Sequence, residues 1–354
     1  MVNKNLKIAI IGFGKRGKTH IRNYQSLSGV EVVAVCDSNV RLLNRFNIPT
    51  YSKYKQIIDD CKIDGISICV PTRYHYDVAR YCLMKDKHVL IEKPVTINVK
   101  EAQELQKISI KRNIVCMAGY SLRFDKNIKK IKDILDSGKV GKIIAIRGRQ
   151  AHNWGGKRPF DWLIDKEISG GGTIIDNGSH FLDLFDNLFG PITEIGAIAS
   201  NSAFNSSVED TAIISLRFAS GLIGSIETSW VDARGRNNEL IIWGMNAVIE
   251  YSESNKGTDL IITSYKSDND EWNRLVREKL YIPKGIEQIT KQSNIDNNKM
   301  LLAENTANML NYFLTLIVNS GIRKKFISKN DLTRSVVLVH AAYKSMKQHR
   351  LISL

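Results

Sequence analysis

The segment GFGKRG sets Gly12, Gly14 and Gly17 in G-x-G-x-x-G spacing, with the apolar run LKIAIIG before it and a helical pattern from Lys15 to Leu27 after it. In that context the glycines permit a tight turn and close backbone approach, so that a pyrophosphate can rest on the helix N-terminus. Phe13, Gly14, Lys15 and Arg16 are the loop residues expected to face it. Asp37 ends the next apolar run, about twenty residues on, where a carboxylate bonds adenine-ribose hydroxyls and repels a 2′-phosphate. NAD is therefore the expected cofactor, and Lys15, Arg16 and Arg41 nearby leave NADP open.

Two further runs end in residues with chemistry. CVPTRYH brings Pro71, Thr72 and His75 to the carboxyl end of a strand, the edge at which doubly wound sheets bind ligands. LIEKPVT does the same for Glu92 and Lys93, followed by Pro94. A lysine there, beside a carboxylate and a bound nicotinamide, can hydrogen-bond a substrate oxygen or titrate near neutrality. Farther on, SGGGTIIDNGSHFLD places three glycines, Gly170 to Gly172, before Asp176, Gly178 and His180. On an ideal helix Asp176, His180, Asp183 and Asn187 share one stripe opposite Ile174, Phe181, Leu182, Phe185 and Leu188. Such a stripe by default is a solvated face, while the glycines also suit close approach to a flat ring.

These residues need a scaffold, and the first third supplies one. Near-continuous apolar runs (LKIAIIG, VEVVAVCD, GISICVP, HVLIEKP, IVCMAGY) alternate with helical patterns, which argues for a parallel sheet covered on both faces. One of those helical patterns spans Asn39 to Phe46. Beyond Arg123 comes a basic amphipathic helix (KNIKKIKDILDSGK), then successive strands from Pro191 to Tyr251, the pattern of an antiparallel sheet. Helices are expected over Ala303 to Asn319 and Asp331 to His349, with SGIRKK as a break between them, and Ser267 to Met300 reads as a polar lid or loop. The expected fold is thus an α/β Rossmann domain with a parallel sheet, residues 1–122, plus a C-terminal α+β domain with a mostly antiparallel open sheet, residues 123–354. The final helix is a candidate to pack back on the first domain.

Composition narrows the function classes. With 354 residues, 43% hydrophobic and 25% charged, two packed domains are expected. The charge of +15 is spread rather than clustered, which argues against nucleic acid as partner. Five cysteines without a C-x-x-C pair suggest core thiols and no metal site. The N-terminus lacks a signal-peptide pattern and no apolar run is long enough for a bilayer, so a cytoplasmic protein with no membrane partner is expected.

GFGKRG, VCD, VPTRYH, EKP, AGYSLRF and GGGTIIDNGSH, in this order and at these separations, resemble the glucose-fructose oxidoreductase, inositol dehydrogenase and rhizopine catabolism family (Gfo/Idh/MocA). The resemblance implies an NAD(P)-dependent dehydrogenase or reductase acting on a secondary hydroxyl or keto group of a sugar, sugar derivative or cyclitol. It implies that Lys93 is the lysine of the family's E-K-P motif and that Asp176 and His180 are its D-x-x-x-H pair. Arg123 matches an arginine that contacts substrate or cofactor, and Trp162 a tryptophan near the nicotinamide, while Ser121 departs from the larger polar residues common at its place. A homodimer or homotetramer is also implied.

With that, catalysis is expected from Lys93, Asp176 and His180, with His180 or Lys93 as proton acceptor. Arg147, Arg149, His152, Lys157 and Arg158 suggest an anionic sugar, such as a nucleotide-sugar or sugar acid, as one option, with surface charges as the other. A redox-neutral, glycosidase-like reaction with bound NAD and a non-catalytic sensor of the same fold are the alternatives.

Overall fold

In the first apolar run, LKIAII, every side chain except that of Lys7 is buried, and it becomes the central strand β1 (Leu6–Ile11) of a parallel sheet. A computed structural model describes residues 5–43, 48–154, 160–235, 237–254, 257–265, 275–279 and 297–354. Around β1 follow α1 (Lys15–Ser26), β2 (Val30–Cys36), β3 (Thr50–Tyr51), α2 (Tyr54–Asp60), β4 (Gly65–Ile68), α3 (His75–Met84), β5 (His88–Ile91), α4 (Val99–Arg112) and β6 (Cys116–Ala118). The strand order is β3-β2-β1-β4-β5-β6 with every pairing parallel, the doubly wound order that places ligands beyond the carboxyl ends of the strands. Local signals close the elements. The Asn98 side chain caps α4 by accepting from Glu101 N, and Asn113 ends it in the left-handed region after Lys111 and Arg112.

The chain divides into two compact units. The first comprises Met1–Ser121, Glu167–Gly170 and Ala303–Val337; the second comprises Leu122–Lys166, Gly171–Leu302 and Leu338–Leu354. In the second, α5 (Lys126–Asp136) and β7 (Ile143–Ala151) precede α6 (Ser179–Phe189) and the strands β8 (Ile192–Ser200), β9 (Thr211–Phe218), β10 (Ile223–Ser229), β11 (Asn237–Gly244), β12 (Ala247–Ser254), β13 (Gly257–Tyr265) and β14 (Leu275–Lys279). With β15 (Ile352–Ser353) they form one sheet in the order β14-β13-β12-β11-β7-β10-β9-β8-β15. Its pairings are antiparallel except that of β7 with β10.

Strand β9 alternates strictly between buried and less buried positions, so one face is core and the other open. The core face meets Ile128, Ile131, Phe181, Phe185 and Leu338 from helices. On the open face Ile198, Ile213 and Ile223 are 70%, 51% and 50% exposed.

Among the described residues three helices follow β14: α7 (Asn297–Val318), α8 (Ser320–Lys329) and α9 (Arg334–Gln348). Phe313 and Ile317 of α7 lie against β4, where a Cβ on Gly65 would sit 2.7 Å from Ile317 Cδ1.

The expected break at SGIRKK is a helix instead. Asn319 alone interrupts, in extended geometry, and its side chain caps α8 through Ile322 N. Between Asn39 and Phe46 only a 3-10 turn over Val40–Leu42 forms, capped by Asn39, and 44–47 lie outside the described residues. Of the expected lid, 275–279 are strand and 297–300 begin α7, while the remainder lies outside the described residues.

Candidate active site

At the carboxyl end of β1 each glycine of the loop has a different reason to be there. Gly12 has φ +93°, and a Cβ on it would stand 2.5 Å from the Cys69 carbonyl carbon. On Gly17 a Cβ would stand 2.0 Å from Gly12 O, so α1 can cross the loop only without a side chain. Gly14, the residue preceding α1, has nothing within 4 Å of its would-be Cβ, which leaves the helix N-terminus open to a phosphate. Asp37 Oδ2 accepts from Phe13 N at 2.6 Å and Oδ1 from Asn39 N at 2.8 Å, so the acid stands at the loop with its orientation set. These features fit a dinucleotide: an uncovered helix start for the pyrophosphate and a fixed carboxylate for the ribose. Phe13 is buried under Lys18, 5.6 Å from its ring, and Lys15 is exposed.

Two expected cofactor contacts turn inward. Arg16 Nε and Nη2 donate to Glu92 Oε1 at 2.8 and 2.6 Å, and His20 Nε2 bonds the same oxygen at 2.8 Å. Glu92 is 6% exposed, so this carboxylate ties α1 to the end of β5 and does not face a ligand. Burial alone would raise its pKa, but Arg16 and the hydrogen bond from His20 hold the carboxyl well below the usual range, while burial keeps His20 neutral. The loss of one partner from a buried pair costs about 3–5 kcal/mol. Here about 2 kcal/mol is expected, because the Arg16 side chain is 37% exposed and can turn to water.

A carboxyl with a depressed folded pKa stabilises fully above its unfolded value, about 4.3, and loses that contribution as pH falls below it. Urea unfolding of Glu92→Gln and wild type is therefore expected to differ at pH 7 and converge as pH drops below about 4. Parallel stability curves would refute the pairing.

His75 is buried with Nδ1 2.7 Å from Pro94 O and Nε2 2.8 Å from Val70 O. The neutral ring has one N–H to donate to these two main-chain carbonyls, so His75 is packed into and braces the turn after β5. Thr72 is buried and Pro71 half-buried at the end of β4. Lys93 is half-buried directly after Glu92 and joins Pro94 through a cis peptide. Gly119 N donates to Ile91 O at 2.7 Å, and a Cβ on Gly119 would lie 3.2 Å from Glu92 Cα, so β6 closes tightly on the strand end that presents Lys93.

In the second unit the expected α-helical stripe fails at its start. Ile174–Gly178 form a π turn, and only from Ser179 does α6 run as an α-helix. The wider turn changes the angular spacing between Asp176 and His180, and such turns recur at functional sites. Only the far end of the stripe is a solvated face: Asn187 is exposed, whereas Asp183 is buried and Asp176 and His180 are half-buried. Trp230, fully buried, donates from Nε1 to Asp176 Oδ2 at 3.1 Å and so aims the carboxylate. Phe181 seats on Gly148 of β7, where a Cβ would come within 2.3 Å of its ring, and this contact positions His180 one residue earlier.

Gly171 and Gly172 also have a steric cause within the protein itself. A Cβ on Gly171 would lie 2.0 Å from Tyr343 Oη, and one on Gly172 would lie 1.9 Å from Glu209 O. The close approach is to the protein's own groups. The Glu209 carboxylate accepts from Gly172 N at 3.1 Å, Ile174 N at 2.9 Å and Tyr343 Oη at 2.8 Å. The only local trace of Glu209 is an acidic pair, Glu209-Asp210, ahead of the apolar β9.

Arg123 donates from Nε and Nη2 to Asp183 at 2.7 and 2.6 Å, which commits one face of its guanidinium to a buried acid. Trp162 lies 38% exposed on the short helical turn Asp161–Ile164. The arginines read as an anion site have acidic partners: Arg149 meets Glu227 at 2.8 Å and Asp232 at 2.6 Å, and Arg147 lies 3.8 Å from Glu239. His152 is half-buried, and Lys157 and Arg158 lie outside the described residues. Among the described residues, no group of His, Cys, Asp and Glu could hold a metal, the five cysteines are free, and no helix is long and apolar enough to cross a membrane.

Two family descriptions match this chain: "Oxidoreductase family, NAD-binding Rossmann fold" over residues 6–120 and "GFO/IDH/MocA C-terminal domain" over 128–250. The chain is 25% identical over 275 residues to myo-inositol 2-dehydrogenase of Thermotoga maritima, covering 74% of this chain and 80% of that protein. It is 26% identical over 273 residues to levoglucosan dehydrogenase of Pseudarthrobacter phenanthrenivorans, covering 66% and 70% respectively. A solved structure of levoglucosan dehydrogenase in complex with NADH superposes with a TM-score of 0.81 at 19% identity, over 99% of each chain.

Proposed function

The chain belongs to the Gfo/Idh/MocA oxidoreductase family, and we propose that it oxidises a secondary hydroxyl of a sugar, sugar derivative or cyclitol with NAD, or runs the reverse reduction. The observation that carries this reading is the π turn with its Asp–His pair: Asp176 is aimed by the Trp230 indole, and His180 is half-buried between residues that are buried. In this reading the first unit, which takes in Glu167–Gly170 and Ala303–Val337 besides the chain through Ser121, serves the cofactor, and the second serves the substrate and self-association. Relatives named for myo-inositol and levoglucosan support a neutral polyol or sugar. Acidic partners already match the charge of Arg147 and Arg149, which favours a neutral substrate over an anionic one.

When bound, NAD supplies a hydride acceptor. The chain's own residues hold the alcohol and move its proton. Lys93 donates to the reacting oxygen and stabilises the negative charge that develops there. His180 takes the hydroxyl proton, and Asp176 supports the imidazolium that results. Glycines 12, 14 and 17 seat the pyrophosphate, and Asp37 binds the ribose hydroxyls. With Arg16 turned to Glu92, its charge is matched within the protein, which favours NAD over NADP. The exposed isoleucines Ile198, Ile213 and Ile223 make the open sheet face the natural surface for a homodimer or homotetramer.

The test is to mix the purified protein with NAD and a panel of polyols, sugars and sugar acids and to follow absorbance from reduced nicotinamide. Net reduction with at least one neutral polyol is expected, and reduction with none would sink the reading. In the same assay Asp37→Ala is expected to lose about tenfold in NAD affinity, the worth of a charge-assisted hydrogen bond of about 1.5 kcal/mol, and to gain NADP affinity. An unchanged NAD/NADP ratio would remove Asp37 from the cofactor site.

A further inference from the structure

Three donors, two from the Gly172–Ile174 step and one from Tyr343 far along the chain, converge on one buried carboxylate. Glu209, 8% exposed, takes both oxygens to Gly172 N, at 3.1 and 3.2 Å, and Oε1 also to Ile174 N and Tyr343 Oη, at 2.9 and 2.8 Å. Its own carbonyl accepts from Thr173 N at 2.9 Å. The main-chain amides of Gly172, Thr173 and Ile174 are thus all held by one residue, at the step where the glycine run becomes the π turn. Asp176 N donates back to Gly172 O at 3.0 Å, so a shift of Gly172 is passed to the Asp176 backbone.

We propose that Glu209, seated by Tyr343, is a positioning residue of the reaction: it fixes the Gly172–Ile174 amides and thereby the turn that presents Asp176 and His180. The proposal rests on the reading that Asp176 and His180 act on the substrate. Four features tie the device together. Gly171 and Gly172 have no room for a side chain because Tyr343 and the Glu209 backbone fill it. Burial raises the pKa of Glu209, and the amide and Tyr343 hydrogen bonds oppose that rise. Truncation of the carboxylate leaves buried amides without an acceptor, and a turn wider than an α-turn has close alternatives to fall into. Finally, the same two residues wall a cavity of about 220 Å³, lined also by Lys166, Ser200, Asn201 and Ser207, which gives a small carboxylate access to the place Glu209 occupies.

The experiment uses the full chain with the best polyol from the panel and expresses kcat per NADH-binding site, so that misfolded protein is not counted. Glu209→Ala is expected to lose about 10- to 100-fold in kcat with NADH affinity within about twofold of wild type, and added formate is expected to restore part of the loss. Glu209→Gln, which keeps an oxygen for Ile174 N, is expected to retain most of the rate. Tyr343→Phe, with one hydroxyl removed, is the variant that decides if Glu209→Ala does not fold, and about a 3- to 10-fold loss in kcat is expected. A kcat within twofold of wild type in every variant that folds would overturn the proposal. If instead His180→Ala and Asp176→Ala keep the wild-type rate, it is the catalytic reading of the turn that fails, whatever the Glu209 variants do.

Discussion

Lys93→Met is expected to lower kcat/KM by about 10²- to 10³-fold while NADH affinity changes little, because one preorganised donor to a developing oxyanion is worth about that much. Methionine keeps the length of the side chain and removes only the ammonium. The local frame should survive, since it rests on other groups: Glu92 is pinned by Arg16 and His20, Pro94 O is bonded to His75, and Gly119 N is bonded to Ile91 O. Lys93→Arg adds a second reading. A guanidinium can donate to the reacting oxygen but cannot give up its proton near neutrality. If Lys93 holds the oxygen, arginine is expected to recover part of the rate; if Lys93 is itself the proton acceptor, arginine and methionine are expected to be equally poor. Full activity in Lys93→Met would remove Lys93 from the reaction.

The second large effect is expected at His180. A positioned base contributes about 10²- to 10⁴-fold, so His180→Ala should fall by that range in the oxidation direction. The sign with pH follows from the role. Only the neutral imidazole can accept the hydroxyl proton, so wild-type oxidation is expected to weaken on the acid side of its pH profile. In His180→Ala that acid limb should vanish, and the small remaining rate should rise with hydroxide. A profile in which the alanine variant keeps the acid limb would assign it to another group and leave His180 without the proton. Its neighbour Phe181, locked over Gly148, keeps α6 in place in this variant, so the loss reads the imidazole.

The legible parts of the sequence were those governed by local rules. The glycine loop and Asp37 were readable because strand, turn and helix start lie within one short stretch, and the structure gives Gly12 and Gly17 each a steric reason. The two sheets were readable from burial period alone: β1 is buried at every position but Lys7, and β9 alternates. Illegibility set in where a partner came from far along the chain. Glu92 looked like a ligand contact because Arg16 and His20 are 76 and 72 residues away. Arg149 looked like an anion site because its partner Glu227 is 78 residues away.

The glycine run shows the same limit more sharply. Tyr343 is 134 residues from Glu209, and nothing near Gly170–Gly172 announces either of them. The π turn was invisible for another reason, since an ideal-helix projection assumes 3.6 residues per turn and cannot register a local widening. SGIRKK misled through its glycine, whose cost the Asn319 cap offsets.

The most direct test of the central claim is to follow the hydrogen itself. The best polyol from the panel, deuterated at the carbinol carbon, is incubated with the enzyme and NAD, and the reduced cofactor is recovered and weighed by mass spectrometry. The account predicts that the deuterium is found on the nicotinamide ring in wild type, with the yield collapsing in Lys93→Met and His180→Ala. Reduced cofactor free of deuterium, or undiminished transfer in both variants, would contradict it.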